Sequence, residues 1–135
     1  MINSFAGRNS FLSNFFPCKI RFEGITYLTS EHAFQAAKTL DIDERKQIAL
    51  APTAGKAKRM GRKLKLRRDW ESVRIEIMEA ILRIKFSDPD LLARLLETGT
   101  EELIEGNNWG DRFWGKVDGE GENHLGKLLM KIRDE

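Results

Sequence analysis

The sequence is poor in the residues from which disulfides and metal sites are built. Its 135 residues include one cysteine, Cys18, and two histidines. A single cysteine cannot form an internal disulfide, and this Cys/His set is too small for a structural zinc site of ordinary spacing. We therefore predict a protein with no bound metal and no other cofactor.

Long apolar runs and linkers are also missing. No window approaches the roughly 18 consecutive apolar residues of a transmembrane helix, and the N-terminus lacks the pattern of a signal peptide. No stretch is rich enough in Pro, Gly and Ser to be a linker. Because hydrophobic residues make up 41% of the chain and charged residues 33%, a folded core is expected. These features predict a soluble, cytoplasmic single domain over residues 1–135 with no membrane partner.

The net charge of +2 conceals a strong asymmetry along the chain. Residues 1–68 hold 14 Lys/Arg and 5 Asp/Glu, whereas residues 69–135 hold 9 and 16. Ten of the basic residues lie between Arg45 and Arg68, a basic run without any acidic residue. Such a run favours an anionic partner, either a phosphorylated small molecule or nucleic acid. It is equally typical of a solvated face that pairs with the acidic half of the same fold.

The hydrophobic pattern predicts a mostly helical α+β domain with a small β-hairpin. Apolar alternation on both sides of Glu23-Gly24 predicts two short strands between Cys18 and Leu28. Residues 9–17 are expected to form an ordered loop whose phenylalanines pack inward. Helices are predicted over 31–38, about 43–50, from 54 through the basic run, 70–86, 89–98 and from 123 onward, with a short strand over 102–105.

The first candidate for chemistry is the helix predicted over residues 31–38. Glu31, Gln35 and Lys38 are four and then three residues apart, so they share one helix face. A carboxylate in the first turn is favoured in its ionised form, which suits a general base or an electrostatic stabiliser. From spacing alone, a surface helix with a solvated lysine is the more frequent arrangement.

The second candidate is the Gly-rich and Trp-rich loop of residues 105–115. It holds Trp109 and Trp114 together with Asn107 and Asp111. Tryptophan faces stack on planar heterocycles or sugars, and amide and carboxylate groups bind hydroxyls, so this composition suits a nucleoside-like ligand. The alternative is that both tryptophans clamp the loop onto the core, although packing explains Asp111 less well.

The third candidate is the Gly-rich turn of residues 118–126. Asn123 is predicted first as a helix N-cap and second as a substrate contact. The pair Gly119 and Gly121 lacks the third glycine of a dinucleotide fingerprint, which excludes a Rossmann site. No Gly-x-Ser-x-Gly elbow accompanies the histidines, so a Ser-His-Asp triad is not expected.

Several multi-residue motifs lie in a specific order along nearly the whole chain. They are 11–15 (FLSNF), 27–38 (YLTSEHAFQAAK), 57–62 (AKRMGR), 69–70 (DW), 82–86 (LRIKF), 106–115 (GNNWGDRFWG) and 123–126 (NHLG). In these motifs the sequence resembles the YbiA-like N-glycosidase family, whose domain is also called NADAR. The resemblance implies a YbiA-like α+β fold and hydrolysis of the C1′–N bond between a base-like amine and a ribose phosphate.

The resemblance implies two substrate classes and therefore two partners. One is a phosphorylated nucleoside-like small molecule, such as the early ribosylaminopyrimidine phosphates of riboflavin synthesis. The other is ADP-ribosylated DNA, from whose guanine bases ADP-ribose would be removed. A third possibility is a non-catalytic module for ADP-ribose or a nucleotide, which would need the tryptophans and the basic run but not Glu31 or Lys38.

Breaking a C1′–N bond passes through an electron-poor sugar, so negative charge is needed near C1′. Glu31 and Asp111 are the predicted catalytic carboxylates. Lys38 is the predicted third catalytic residue, either attacking C1′ to form an imine or pairing with a phosphate or carboxylate. The predicted substrate-binding residues are Gln35, Lys58, Arg59, Arg62, Asn107, Trp109, Trp114 and Asn123, with the three basic residues facing the phosphate.

Overall fold

The computed structural model describes all residues from Met1 to Glu135. Its only sheet has two antiparallel strands, and helices account for 48% of the residues, which confirms the predicted mostly helical α+β class. No helix has the length and apolar character needed to cross a membrane. The elements are a 3₁₀ helix (Gly7–Leu12), β1 (Ile20–Phe22), β2 (Ile25–Tyr27), α1 (Ser30–Ala36), α2 (Ile42–Ala49), α3 (Ala54–Arg62), α4 (Trp70–Lys85), α5 (Pro89–Glu97) and α6 (His124–Arg133).

These elements fall into two compact units. The first unit, Asn14–Lys85, is continuous and contains the hairpin and α1 to α4. The second unit joins Met1–Ser13 to Phe86–Glu135 and contains the 3₁₀ helix, α5 and α6. The second unit is therefore assembled from both ends of the chain.

The hairpin forms where alternation and the turn residues predicted it. Ile20 pairs with Tyr27 and Phe22 with Ile25 across the two strands. At the turn, Glu23 and Gly24 have φ values of 48° and 87°. Positive φ at both central residues is the backbone that matches the twist of a two-residue hairpin. This part of the prediction is confirmed.

Helices α1, α2 and α3 of the first unit begin at polar caps. The Thr29, Asp41 and Thr53 side chains accept hydrogen bonds from backbone N–H groups in the first turns of α1, α2 and α3. Each bond satisfies a donor that has no partner within its helix. The cap predicted at Thr53 is confirmed, and of the two residues predicted for α1, Thr29 is the cap. Helix α1 ends at Ala36, so Lys38 lies in the turn that follows it.

Helix α4 buries only two, Trp70 and Ile81, of the five apolar residues whose spacing of three and four predicts its core-facing stripe, namely Trp70, Val73, Ile77, Ile81 and Ile84. Val73, Ile77 and Ile84 of the predicted stripe are only partly buried. Apolar residues cover a wide arc of this helix, and periodicity alone does not choose among adjacent lines. Packing of α4 against α1 and β1 makes that choice. The buried residues of α4 are Trp70, Met78, Ile81, Leu82 and Lys85.

Two local predictions are wrong. Part of the segment 9–17 is a 3₁₀ helix rather than a loop. Phe11 packs inward as predicted, with 3% exposure, whereas Phe15 is 46% exposed. The Phe15 ring lies 6.0 Å from Lys58 Nζ, a cation–π contact that an exposed ring can make. In the second unit, the strand expected over 102–105 is a single bridge between Ile2 and Leu103, because pairing does not extend to neighbouring residues.

Backbone and side-chain contacts close the second unit. The Ile2 N–H donates to the Glu102 carbonyl at 2.8 Å, and the Ile104 N–H donates back to Ile2 at the same distance. From α6, the Arg133 guanidinium donates to the Glu101 carbonyl at 2.7 Å and to Thr98 Oγ1 at 3.1 Å. The N-terminal segment and α6 are thus both held by the residues that follow α5.

Candidate active site

The predicted face of α1 is present, and it is not a surface face. Glu31 is 8% exposed and Gln35 is 4% exposed, while Lys38 is half-buried just beyond the helix end. Glutamate is rarely buried to this degree without a partner. Spacing alone favoured a solvated surface helix here, and that expectation is therefore wrong.

Two sets of contacts fix the start of α1. The Asn14 carbonyl accepts from the Glu31 N–H at 3.0 Å, and Asn14 Oδ1 accepts from Ser30 Oγ at 2.8 Å. His32 Nε2 donates to the Ala51 carbonyl at 3.0 Å, so Nδ1 accepts from the Thr29 hydroxyl at 2.7 Å. Both nitrogens of this buried histidine are used, which makes its role structural.

Gln35 joins the Glu31 carboxylate to α3. Its Nε2 donates to Glu31 Oε1 at 2.9 Å, one helical turn away. Its Oε1 is buried without a hydrogen-bond partner and lies against Gly61 of α3. Buried polar atoms are almost always paired, so this amide is unusual.

Lys38 lies among charged groups of the same unit. Burial lowers the pKa of its amine, and the positive charges of Arg62 and Lys58 lower it further, while Glu31 acts in the opposite direction. The backbone N–H of Arg67 donates to the Lys38 carbonyl at 2.8 Å, which fixes the turn that presents the amine. A lowered pKa increases the fraction of neutral amine, the nucleophilic form.

The basic run divides into structural and exposed residues. Arg45 is 5% exposed and donates to the Thr39 carbonyl and to Glu23, and Arg67 pairs with Asp69 at 2.6 Å. Internal pairing therefore explains these two arginines. Arg59 and Arg62 of α3, by contrast, are exposed. The structure thus brings together Glu31, Gln35, Lys38, Lys58 and Arg62 in the first unit, with Arg59 on the same helix as the last two.

In the second unit, Asn107 shapes the loop of residues 105–115. Its Oδ1 accepts from the Asp111 N–H at 3.0 Å, and its Nδ2 donates to the Asp111 carbonyl at 2.9 Å. The same Nδ2 lies 3.0 Å from Glu105 Oε2. The amide therefore closes the loop on itself.

Asp111 also has a structural role that the sequence did not reveal. Its Oδ1 accepts from the N–H groups of Phe113 and Trp114 at 3.0 and 2.8 Å, a turn typical of aspartate. Trp114 is partly buried against Phe113, whereas Trp109 is 58% exposed. Packing within the protein thus explains in part why a tryptophan stands at position 114, but it explains little of the mostly exposed Trp109.

Asn123 precedes α6 with a left-handed backbone, at φ 54°. We predicted that its side chain caps α6, but the side chain makes no hydrogen bond to the start of that helix. Instead, Oδ1 accepts from the Glu105 N–H at 3.0 Å and Nδ2 donates to the Leu103 carbonyl at 2.9 Å. The residue is 4% exposed, and its amide joins two distant parts of the second unit. The prediction of a side-chain cap failed because these partners are about twenty residues away in the sequence.

Sequence reasoning also missed Lys85, at the end of α4. This lysine is 2% exposed, and burial lowers its pKa to about 8. Its amine lies 5.7 Å from the centre of the Phe16 ring. The sequence offers one signal, a lysine at a core-facing position between Ile84 and Phe86.

Comparison with known proteins confirms the predicted resemblance. The NADAR domain profile matches residues 4–135. "N-glycosidase YbiA" of Escherichia coli (strain K12) is 42% identical over 127 residues, which cover 91% of this chain and 79% of that protein. "Riboflavin biosynthesis protein VVA0006" of Vibrio vulnificus is 40% identical over 131 residues. The matched residues cover 94% of this chain but 35% of that relative, which is much longer.

A solved structure has the same fold. The NMR structure of the E. coli protein YbiA matches with a TM-score of 0.84 at 38% sequence identity. The match covers 99% of this chain and 85% of that chain. The YbiA-like fold predicted from the motifs is thereby confirmed.

Proposed function

Because the chain belongs to the NADAR domain family, we propose that it hydrolyses the C1′–N bond of ribosylamine phosphates, such as early ribosylaminopyrimidine intermediates of riboflavin synthesis. The enzyme class, a hydrolase of N-glycosyl bonds, follows from relatives that are named N-glycosidases. The riboflavin-biosynthesis name of the Vibrio vulnificus relative supports the substrate class. One structural observation supports the chemistry most directly, namely a buried carboxylate and a half-buried amine of lowered pKa close to two further cations.

Glu31 is proposed to stabilise the electron-poor sugar. As the C1′–N bond lengthens, positive charge develops on C1′ and the ring oxygen, and a nearby carboxylate lowers the energy of that state. The attraction between a carboxylate and a developing positive charge is stronger in a buried position than in water. The 8% exposure of Glu31 therefore favours this role over that of a surface charge.

Lys38 is proposed as the nucleophile. Its neutral amine would attack C1′ while the C1′–N bond breaks and the leaving amine takes up a proton. The C1′–O4′ bond would then open with protonation of O4′, which gives an imine between Lys38 and C1′. Water would hydrolyse the imine, releasing the ribose phosphate and regenerating the amine.

Lys58, Arg59 and Arg62 are proposed to bind the substrate phosphate. Arginine presents a planar fork of donors that matches phosphate oxygens. Arg59 and Arg62 are exposed on α3, and the Lys58 and Arg62 charges act on Lys38, so a phosphate there would sit near the amine. Asp111, Asn107, Trp109, Trp114 and Asn123 in the second unit stay predictions, of which Asp111 is the proposed second carboxylate.

Release of base from a ribosylaminopyrimidine phosphate tests these roles. Glu31→Gln and Lys38→Ala should each lower kcat about 100-fold or more, as expected for acid–base and covalent groups. Asp111→Asn tests the second carboxylate in the same assay. Glu71→Gln and Lys63→Ala alter exposed residues of the same unit and serve as matched controls. Near-normal turnover in a folded variant removes that residue from the mechanism.

Borohydride trapping separates the imine from direct attack by water. Reduction during turnover should leave a stable adduct on the wild-type protein, detected by mass spectrometry, and none on Lys38→Ala. A wild-type protein that turns over without forming any adduct would exclude the imine. Glu31 could still act on an attacking water in that case.

The exposed basic residues favour a second candidate, removal of ADP-ribose from guanine bases in DNA. Six basic residues of the run are exposed along and after α3, more than one phosphate needs: Lys56, Arg59, Arg62, Lys63, Lys65 and Arg68. Assaying ADP-ribosylated guanine in duplex DNA beside the small ribosylamine phosphates distinguishes the two substrates. Binding of ADP-ribose without any turnover would instead indicate a non-catalytic module.

A further inference from the structure

The buried amide of Gln35 has both of its ends committed within the protein. Its Nε2 is bonded to Glu31 Oε1, and its Oε1 lies against Gly61 with no partner. With 4% exposure, the side chain offers little to a substrate. These contacts favour a role on Glu31 in place of the direct substrate contact predicted from the sequence.

The orientation of this amide is determined by its two neighbours. Turning it over would point its oxygen at the Glu31 carboxylate, where two acceptors repel each other. It would also bury two N–H donors against Gly61 in place of one oxygen. The orientation found leaves a single atom unpaired and gives Glu31 a donor, and such a donor favours the charged form of a carboxylate.

Gly61 explains how α3 accommodates this amide. The residue lies in the last turn of α3, where its φ is not positive, so no turn conformation requires glycine there. Glycine is less favourable than alanine at a helical position, and a reason for it is therefore needed. A Cβ at this position would overlap the Gln35 carboxamide, and the three atoms nearest to it all belong to Gln35.

We propose that Gln35 is a positioning residue that orients the Glu31 carboxylate, and that Gly61 is glycine to leave room for its amide. Gly61 thereby also sets how closely α3 approaches α1 at Glu31. Because Arg62 is the next residue on α3, the same contact fixes the distance between the carboxylate and a proposed phosphate contact. This inference rests on the proposed role of Glu31.

Steady-state kinetics of Gln35→Met test the orientation of Glu31. Methionine keeps the length of the side chain but donates no hydrogen bond. We expect kcat to fall about 10- to 100-fold, because small misplacements of catalytic groups have effects of this size. KM should change less than about twofold, since the phosphate contacts remain. A raised KM with normal kcat would mean that Gln35 contacts the substrate, and unchanged kinetics would likewise overturn the proposal.

A double-mutant cycle tests the pairing of Gln35 with Gly61. Gly61→Ala should lower kcat and thermal stability in the wild type, but have little effect when Gln35 is already alanine, where only the Cβ contact at 3.0 Å remains. Gly55→Ala is the matched control in the same helix, because its Cβ would meet its neighbours at an ordinary 3.9 Å. Equal losses from Gly61→Ala in both backgrounds would overturn the proposal.

Failure of the proposed function gives a different result. If Glu31→Gln retains normal turnover, Glu31 is not catalytic, and the coupling between Gln35 and Gly61 appears only in thermal stability. If Glu31→Gln is inactive while Gln35→Met and Gln35→Ala are folded and fully active, the positioning role is wrong and the proposed function stands.

Discussion

At the scale of single residues, the first unit buries charged side chains that a core does not require. Glu31 and Arg45 each have a bonded partner, and Lys85 lies under an aromatic ring with 2% exposure. Burying an ammonium group costs free energy, and the group responds by losing its proton more easily. The pKa of Lys85 accordingly falls from 10.5 to about 8.

The stability of the protein should therefore depend on the charge of Lys85. In the unfolded chain this lysine loses its proton near pH 10.5, and in the folded protein near pH 8. Stability from this group is thus lost as pH falls from about 10.5 to 8, and the loss is complete below 8. Since one pKa unit corresponds to about 1.4 kcal/mol, the loss amounts to about 3 kcal/mol.

Lys85→Met tests this pH dependence by urea unfolding. The stability of the variant relative to the wild type should be greatest at pH 7 to 8 and should decline by about 3 kcal/mol toward pH 10.5. Lys46→Met removes an exposed lysine of α2 and should show no such trend. A difference between Lys85→Met and wild type that is constant with pH would contradict the prediction.

At the scale of elements, features that depend on neighbouring residues were predicted well, and features that depend on distant residues were not. The hairpin turn and the Thr53 cap depend on residues within a few positions, so the sequence suffices for them. The Asn123 amide bonds to backbone about twenty residues away, and the Gln35 amide lies against another helix. Which buried line α4 uses depends on its neighbours in the same way. Such contacts depend on how distant segments pack together, and the periodicity of the sequence does not predict them.

The Thr53 cap should stabilise α3, the helix that carries Lys58, Arg59 and Arg62. Thr53 Oγ1 accepts from the Lys56 N–H at 3.1 Å. Thr53→Ala should lower the free energy of unfolding by about 1 kcal/mol, the usual cost of losing such a cap. Thr53→Ser keeps the hydroxyl and should retain most of the stability. Urea unfolding of the three proteins checks this, and equal stabilities would show that the cap contributes nothing.

At the scale of the whole molecule, the charge asymmetry noted in the sequence is only partly neutralised within the fold. Arg45 and Arg67 form ion pairs, of which only the pair with Asp69 uses the acidic half of the chain. The two halves of the sequence also do not coincide with the two compact units, which divide at Ser13 and Lys85. We propose nevertheless that residues 1–135 form one domain, as the size of the chain favours.

The salt dependence of activity should reveal how many phosphates the basic run contacts. With a small ribosylamine phosphate, KM should rise only slightly between low and moderate salt, because few ion contacts are lost. Binding to duplex DNA through many basic residues would weaken steeply over the same range. Arg68→Ala removes an exposed basic residue outside the proposed site and should change only DNA binding. A steep salt dependence with the small substrate would contradict a single-phosphate site.

The second unit has a consequence for synthesis of the protein on the ribosome. Ile2 pairs with Leu103, so the residues around Ile2 find their partners only after about a hundred more have been added. Residues 14–85 are contiguous, and all their hairpin and helix contacts become available before that point. Because nascent chains begin to fold as they emerge, the segment around Ile2 is made before residues 14–85 but pairs with Leu103 only after all of them have been added.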